Sequence, residues 1–284
     1  MTTTLDVDTQ RLRLRLIRSA EALTPLPAAV TRLANVLQDA ETGPAEVADV
    51  VRQDPVLTAS LLREANSSWV AANTEIATVE RAFLLLGRAR LLMLAVKGHF
   101  NEAFQPALPQ YGLVKGQLWR HSVLSATAAG VVRDAASATP GGEAITAALL
   151  HDLAKLVLCD YLDLRELGDE YSGVPIPDIE RHIVSIDHAE LGGIITTKWG
   201  LPTSISDAIA FHHRPDASVR PLAAHTVCVA DAVAHEVSSD PTDAEPYFDL
   251  LRETVGPSLD ALGIASSAWD DLVHKTKDIV SATT

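Results

Sequence analysis

Apolar side chains recur at spacings of three and four along nearly the whole chain, the period of a helix face turned toward a core. Alternating β-branched runs closed by turns are scarce, so the pattern predicts an all-α fold. Residues 9–22 pull both ways. RLRLRLIR alternates strictly, as a half-buried strand does, yet Leu12 and Leu16 share a helix face, and we assign the segment to helix. The turn-forming LTPLP (23–27) leads into a helix that reaches about Gln38. Pro44, after Thr42 and Gly43, and Pro55, after Asp54, each suit a first helical position, where a missing N–H costs nothing. In DPVLTASLLREAN, the Val56, Ser60, Leu61 face and the Leu57, Leu62 face both read as buried. Thr78 caps the next helix, TVERAFLLLG. Arg81 stands where Glu would complete a capping box, and Glu80 compensates in part through the helix dipole.

Residues 101–116 hold prolines and glycines without clean periodicity and read as the connection between two helical halves. Helices are predicted at 117–137, 143–163, 187–199, 203–213 and 221–237, followed by a polar break at Ser238–Pro246 and a small helical tail over 247–280. No repeat and no low-complexity segment is evident.

Composition narrows the class. With 284 residues, 47% hydrophobic and 21% charged, the chain is neither disordered nor collagen-like nor disulfide-rich. A formal charge of -14 argues against unaided binding to nucleic acid or an anionic membrane, and no basic recognition helix is visible. Cys159 and Cys228 lie in apolar helical runs without a CxxC neighbour, as suits a reducing compartment. The N-terminus carries acids where a secretory signal needs basic and apolar residues, and Arg88 and Arg90 interrupt the apolar stretch Ala82–Val96. A cytoplasmic protein without a membrane span is expected.

The chemistry concentrates in the histidines. His121 follows Trp119 in LWRHS, and His151 and Asp152 are adjacent in AALLHDLAK with Lys155 one turn on. His188 opens DHAELGG behind a possible N-cap, Asp187. His212 and His213 close SISDAIAFHH, and Asp231 lies within CVADAVAH. Imidazoles and carboxylates brought to one point would hold one or two divalent ions, with iron, manganese, zinc and nickel all acceptable to mixed N and O donors. Such ions can clamp a phosphoryl group and activate water, and Lys155 would neutralise a phosphate oxygen as the one candidate catalytic cation. Taken singly, each residue has a plainer reading. A partly buried His is common, paired histidines suit a helix C-terminus, and Asp231 with His235 at i+4 makes an ordinary helix-surface pair. His99, His182, His225, His235 and His274 are given such roles, and Lys155 also reads as a snorkelling surface residue.

The order H, HD, H, HH, D is similar to that of the HD superfamily of metal-dependent phosphohydrolases. LTPLP, RQDPVLTASLLREANSS, IATVERAFLLLG, LWRHS, AALLHDLAKLVL, DHAELGGIITTKWGLPTSISDAIAFHH and VADAV together resemble its signalling branch, the HDOD family, over about residues 22–237. The resemblance implies a two-lobed helical bundle: an N-terminal extension (1–21), an N-terminal helical lobe (22–112), an HD-like lobe (113–237) and a C-terminal tail (238–284) of no assigned role. It also implies a bacterial signalling or regulatory protein without established hydrolase activity. Carried over position by position, His121, His151, Asp152, His188, His212, His213 and Asp231 match the metal-binding positions of active HD enzymes. HDLAK has Ala154 where related cyclic-dinucleotide phosphodiesterases have Gly, and HHRPDASVRP lacks their GYP segment.

Two function classes follow: a module that binds a signalling protein partner or a small nucleotide-like ligand with slow or absent hydrolysis, and a metal-dependent phosphohydrolase acting on a nucleotide or cyclic dinucleotide. The acidic charge and the missing GYP segment favour the first; the intact ligand order and Lys155 favour the second.

Overall fold

Helix α1 (Thr4–Glu21) settles the ambiguous alternating segment. Leu16 and Ala20, one turn apart on one face, are buried, while Leu14 and Arg15 are exposed. The computed structural model describes residues 4–21, 23, 26–39, 41–66, 76–100, 103–164, 167–168, 171, 173–238 and 245–283. Among these residues there is no strand, and the isolated bridge between Leu108 and Leu113 only closes a turn. Parts of LTPLP and of the Ser238–Pro246 break, together with Ser67 and Ser68, lie outside the described residues.

The N-terminal lobe is built from α2 (Ala28–Val36), α3 (Pro44–Val51), α4 (Pro55–Ala65) and α5 (Val79–Phe100). Pro44 and Pro55 occupy first-turn positions, and Asp54 caps α4 by accepting from the N–H groups of Val56 and Leu57 at 2.9 and 3.0 Å. Thr78 accepts from the Arg81 N–H at 3.4 Å, as expected of the α5 cap. The expectation for Val56 is overturned: it is 65% exposed. Leu57, Leu61 and Ala65, at i, i+4 and i+8, form the buried stripe and turn Val56 outward. Helix α5 is kinked at Gly87, whose φ of 77° and ψ of 174° only glycine adopts readily. Just past the kink, the Arg88 guanidinium donates to the carbonyls of Leu37, Asp39 and Thr42 at 3.1, 2.7 and 2.8 Å, tying α5 to the turn between α2 and α3.

The HD-like lobe follows the connector with α6 (Gln117–Ala135), α7 (Glu143–Leu150), α8 (Lys155–Leu158), α9 (Ile176–Val184), α10 (His188–Lys198), α11 (Thr203–Ala210) and α12 (Pro221–Ser238). Helices α6 and α12 pack along each other. Helix α7 is buried from Ala144 to Leu150, and its small alanines let α6, α11 and α12 close around it. Two predicted helices end early. The run expected over 143–163 stops at Leu150, where bonds tighten to i→i−3 (Leu153 N–H to Leu150 O and Lys155 N–H to Asp152 O, each 3.0 Å) before α8 begins. The run expected over 203–213 stops at Ala210, where Phe211, with φ of -116° and ψ of 10°, leaves helical geometry. Helix α9 was not anticipated.

The segment expected as an N-terminal extension docks through α1 on α8, α9 and α10, with Arg13 paired to Glu190. The lobes also meet away from the connector. Thr31, Asn35 and Gln38 of the α2 region donate to Trp199 O, Gly200 O and Ser204 Oγ at 3.2, 3.2 and 2.6 Å. The tail forms two helices, α13 (Glu245–Leu262) and α14 (Trp269–Thr283), packed on α12 and, through α14, on α6. Trp269 Nε1 donates to Glu236 of α12 at 2.7 Å. No described helix is long and apolar enough to cross a membrane.

Candidate metal centre

The early ends of α7 and α11 aim their histidines. In the turn after α7, the His151 Nδ1–H donates to Ala148 O at 2.8 Å; after α11, the His212 Nδ1–H donates to Ile209 O at 2.7 Å. His188 opens α10 behind its N-cap Asp187, which accepts from the Glu190 N–H at 2.6 Å, as its sequence position predicts. The His188 ring Nδ1–H and backbone N–H both donate to Glu180 Oε2 of α9, each at 2.7 Å. A carbonyl or carboxylate oxygen only accepts, so each of these rings carries a proton on Nδ1 and, in its neutral form, presents an Nε2 lone pair.

Those lone pairs converge. His188 Nε2 lies 2.9 Å from His213 Nε2 and 3.3 Å from Asp152 Oδ1. His151 Nε2 lies 3.3 Å from His121 Nε2, 3.4 Å from Asp231 Oδ1 and 3.6 Å from Asp152 Oδ1. His121 Nε2 approaches Asp231 Oδ1 at 3.0 Å, without hydrogen-bond alignment. Ligand atoms held at about 2.1 Å from one ion lie roughly 3.0–3.5 Å apart, the spacing found here. His212 Nε2 and Asp231 Oδ1 are buried without a hydrogen-bond partner, as acceptors meant for a cation would be. Overlapping trios run through the centre: His188, His212, His213; His151, His212, Asp231; His121, His151, Asp152; and His121, Asp231, His235.

Close helix packing makes this convergence possible. A Cβ on Gly193 of α10 would meet Ala210 Cβ at 2.6 Å and Ser206 O at 3.0 Å, and one on Gly192 would meet Ile209 Cγ2 at 2.9 Å. The glycine pair of DHAELGG thus lets α10 lie against α11, bringing His188 to His212 and His213.

Electrostatics keep the donors ready. Burial works to raise Asp152 and Asp231, but neighbours outweigh it and hold both carboxyls well below their usual range: His151, Lys155 and His188 for Asp152, His235, His121 and His151 for Asp231. Burial, reinforced by His151 and His188, drives His212 down to about 3, and burial with His212 and His188 holds His213 well below its ordinary value. His151 goes the other way. Burial opposes its charge, yet Asp152 and Asp231 raise it to about 8. Lys155 lies 2.7 Å from Asp152 Oδ2 and over the Tyr111 ring at 5.8 Å. With neutral imidazoles, three carboxylates (Asp152, Asp231, Glu180) face one ammonium, an excess of two negative charges that one divalent cation would neutralise.

Residues 23–215 match the model of the HDOD domain. The chain belongs to the HDOD family. Among solved structures, the fold is similar to that of an HDOD domain protein with unknown function from Geobacter sulfurreducens (24% identity, TM-score 0.61, covering 92% of this chain and 98% of that one). It is similar too to the "Putative phosphohydrolase" of Shewanella amazonensis SB2B (20% identity, TM-score 0.65, covering 94% of each chain). A curated relative, an uncharacterized protein of Treponema pallidum (strain Nichols), is 20% identical over 215 residues; the match covers 74% of this chain and 41% of that protein.

Within this HDOD chain, the seven residues singled out by their order come together, drawn from α6, α10, α12 and the turns after α7 and α11. Lys155 is no surface residue: it is a largely buried partner of Asp152, fixing Oδ2 and turning Oδ1 toward the histidines. Sequence reasoning missed two members. Glu180, fully buried, fixes the His188 tautomer and accepts from the Tyr111 hydroxyl at 2.7 Å. His235 is no detached surface partner, because its ring stacks 4.5 Å from that of His121. The other histidines lie elsewhere: His99 on Asp54, His182 near Tyr171, His225 on Ser258 and His274 near Asp278.

Proposed function

We propose that this protein is a bacterial signalling protein that works by binding. Its HD-like lobe holds one or two divalent ions and, through them, a phosphate-bearing small ligand of the nucleotide class; hydrolysis there is slow or absent. The observation that carries the reading is the convergence of preset Nε2 lone pairs and two depressed carboxylates around buried acceptors that lack donors. His121, His151, Asp152, His188, His212, His213 and Asp231 would hold the metal, with iron, manganese, zinc and nickel all suited to the donor set. Bound there, a divalent ion supplies Lewis-acid attraction for phosphate oxygens.

Binding rather than turnover is favoured by Lys155. The cation nearest the centre is committed to Asp152 and is thereby a positioning residue, not a substrate clamp. Communication has a physical route, since Tyr111 of the connector bonds Glu180, which holds His188. A cavity of about 390 Å³ lies where the lobes meet, lined by Leu37, Gln38 and Arg88 on one side and Ser204, Ile205 and Arg220 on the other. A ligand that binds two lobe arrangements unequally would shift their balance, and this is how occupancy would reach a partner protein.

The second reading, a metal-dependent phosphohydrolase, is favoured by the completeness of the ligand set. One experiment separates the two. Protein loaded with manganese or iron is presented with nucleotides and cyclic dinucleotides, and binding and product release are compared with His151→Ala and Asp152→Ala. Metal-dependent binding without turnover supports the proposal; robust turnover lost in both variants replaces it with the phosphohydrolase.

A further inference from the structure

Asp231 and His235 stand one turn apart on α12 and so share a face, and α6 lays His121 against that face. The His235 Nε2 atom is 3.4 Å from Asp231 Oδ1, the same oxygen that His121 Nε2 approaches at 3.0 Å. Donor atoms of all three lie within 4.8 Å of one another. This trio shares no member with His188, His212 and His213 at the other end of the centre, and His151 and Asp152 lie between the two groups. Two ions could therefore be held without competing for their exclusive ligands. Without His235, the outer group would have only two donors of its own.

We infer that His235 is a metal ligand that completes an outer ion position with His121 and Asp231. The inference rests on the reading of the centre as a metal site, and adds to it a residue outside both the set of seven and the matched segment 23–215. The His235 side chain is 42% exposed, so the outer position opens toward solvent while His151 and Asp152 at the middle are buried. The outer ion is accordingly the one expected to exchange readily and to meet a phosphate-bearing ligand first.

The test is metal stoichiometry. Metal-free full-length protein is titrated with manganese, bound metal per chain is counted by mass spectrometry after desalting, and electron paramagnetic resonance reports spin coupling between neighbouring ions. The parent should take up two ions with a coupled signal. His235→Ala should keep one, lose the coupling and bind the second at least tenfold more weakly, and His235→Asp, which restores an oxygen donor, should regain it. Circular dichroism establishes that both variants are folded, as the exposure of His235 predicts. Two ions bound by His235→Ala with parental affinity would overturn the inference and leave the metal reading standing. A parent with one ion decides likewise: loss of that ion in His235→Ala supports the ligand role, and its retention overturns it. No uptake by the parent would defeat the metal reading itself.

Discussion

Glu180 and His188 are joined twice: one carboxylate oxygen accepts from both the ring Nδ1–H and the backbone N–H, each at 2.7 Å. The bond fixes the tautomer, so the lone pair on Nε2 of neutral His188 depends on a residue whose own carboxylate is spent on His188 and Tyr111. Burial acts to raise the Glu180 carboxyl, but the adjacent His188, through its ring and both hydrogen bonds, with Lys155, holds it below its usual value. Glu180→Ala should cost about 1–3 kcal/mol by stranding a buried donor and weaken metal binding about 10- to 100-fold. Glu180→Gln, which keeps an acceptor, should lose less of both. Denaturant titration and metal titration on the same samples check the pair; unchanged metal affinity in Glu180→Ala would remove the positioning role.

Gly193 sets the α10 to α11 distance. Alanine there gains about 1 kcal/mol of helix propensity, but its Cβ meets Ala210 and a backbone carbonyl. We expect Gly193→Ala to destabilise by about 1–3 kcal/mol net and to lower metal affinity by parting His188 from His213. Gly130→Ala on α6, where the nearest atom is Ile145 Cδ1 at 3.9 Å, should instead be neutral or stabilising. Thermal unfolding of the two variants side by side distinguishes a packing requirement from a general effect of replacing glycine.

The Asp54 cap makes a pH prediction remote from the centre. Burial acts to raise this carboxyl, but the Leu57 N–H, His99 and the Val56 N–H together hold it below its ordinary value of 3.8. A depressed folded-state pKa contributes stability above the unfolded value and loses it as pH falls through the folded one. Asp54→Ala should therefore cost about 1 kcal/mol at neutral pH, and the gap between variant and parent should close as pH drops below 4. A gap that stays constant down to pH 2 would show that the charge does not contribute.

The tail acts as a buttress of α12. Trp269 is 4% exposed and its indole N–H holds Glu236, the neighbour of His235. Trp269→Ala should cost about 3–5 kcal/mol, whereas Trp269→Phe, which mainly loses the hydrogen bond, should cost about 1 kcal/mol. Equal and negligible losses in chemical denaturation would mean that the tail docks without supporting the lobe.

How much of this the sequence discloses varies from residue to residue. The helical class and the seven donors are legible because apolar period and polar exceptions are both local. Glu180 is not, since Pro175 and Pro177 make the start of α9 resemble a loop and nothing in the chain pairs it with His188. The Asp231 and His235 spacing is visible, but it reads as a surface pair until α6 brings His121 to the same face. The apolar run from Leu149 to Leu158 looks like unbroken helix, and the tightening at His151 that aims the ligand has no signature in residue type. Val56 fails for a simpler reason: an apolar residue in a first turn can lie outside a stripe set by Leu57, Leu61 and Ala65.

The claim that this HDOD protein is built around a divalent-metal centre is tested most directly by the metal content of the full chain after equilibration with manganese, iron or zinc and removal of free ion. It is compared with that of His212→Ala, which deletes a buried Nε2 that has no hydrogen-bond partner. The account predicts at least one tightly held ion per parent chain and a clear loss in the variant, with both proteins folded. A folded parent that retains no ion above the level of the variant would contradict it.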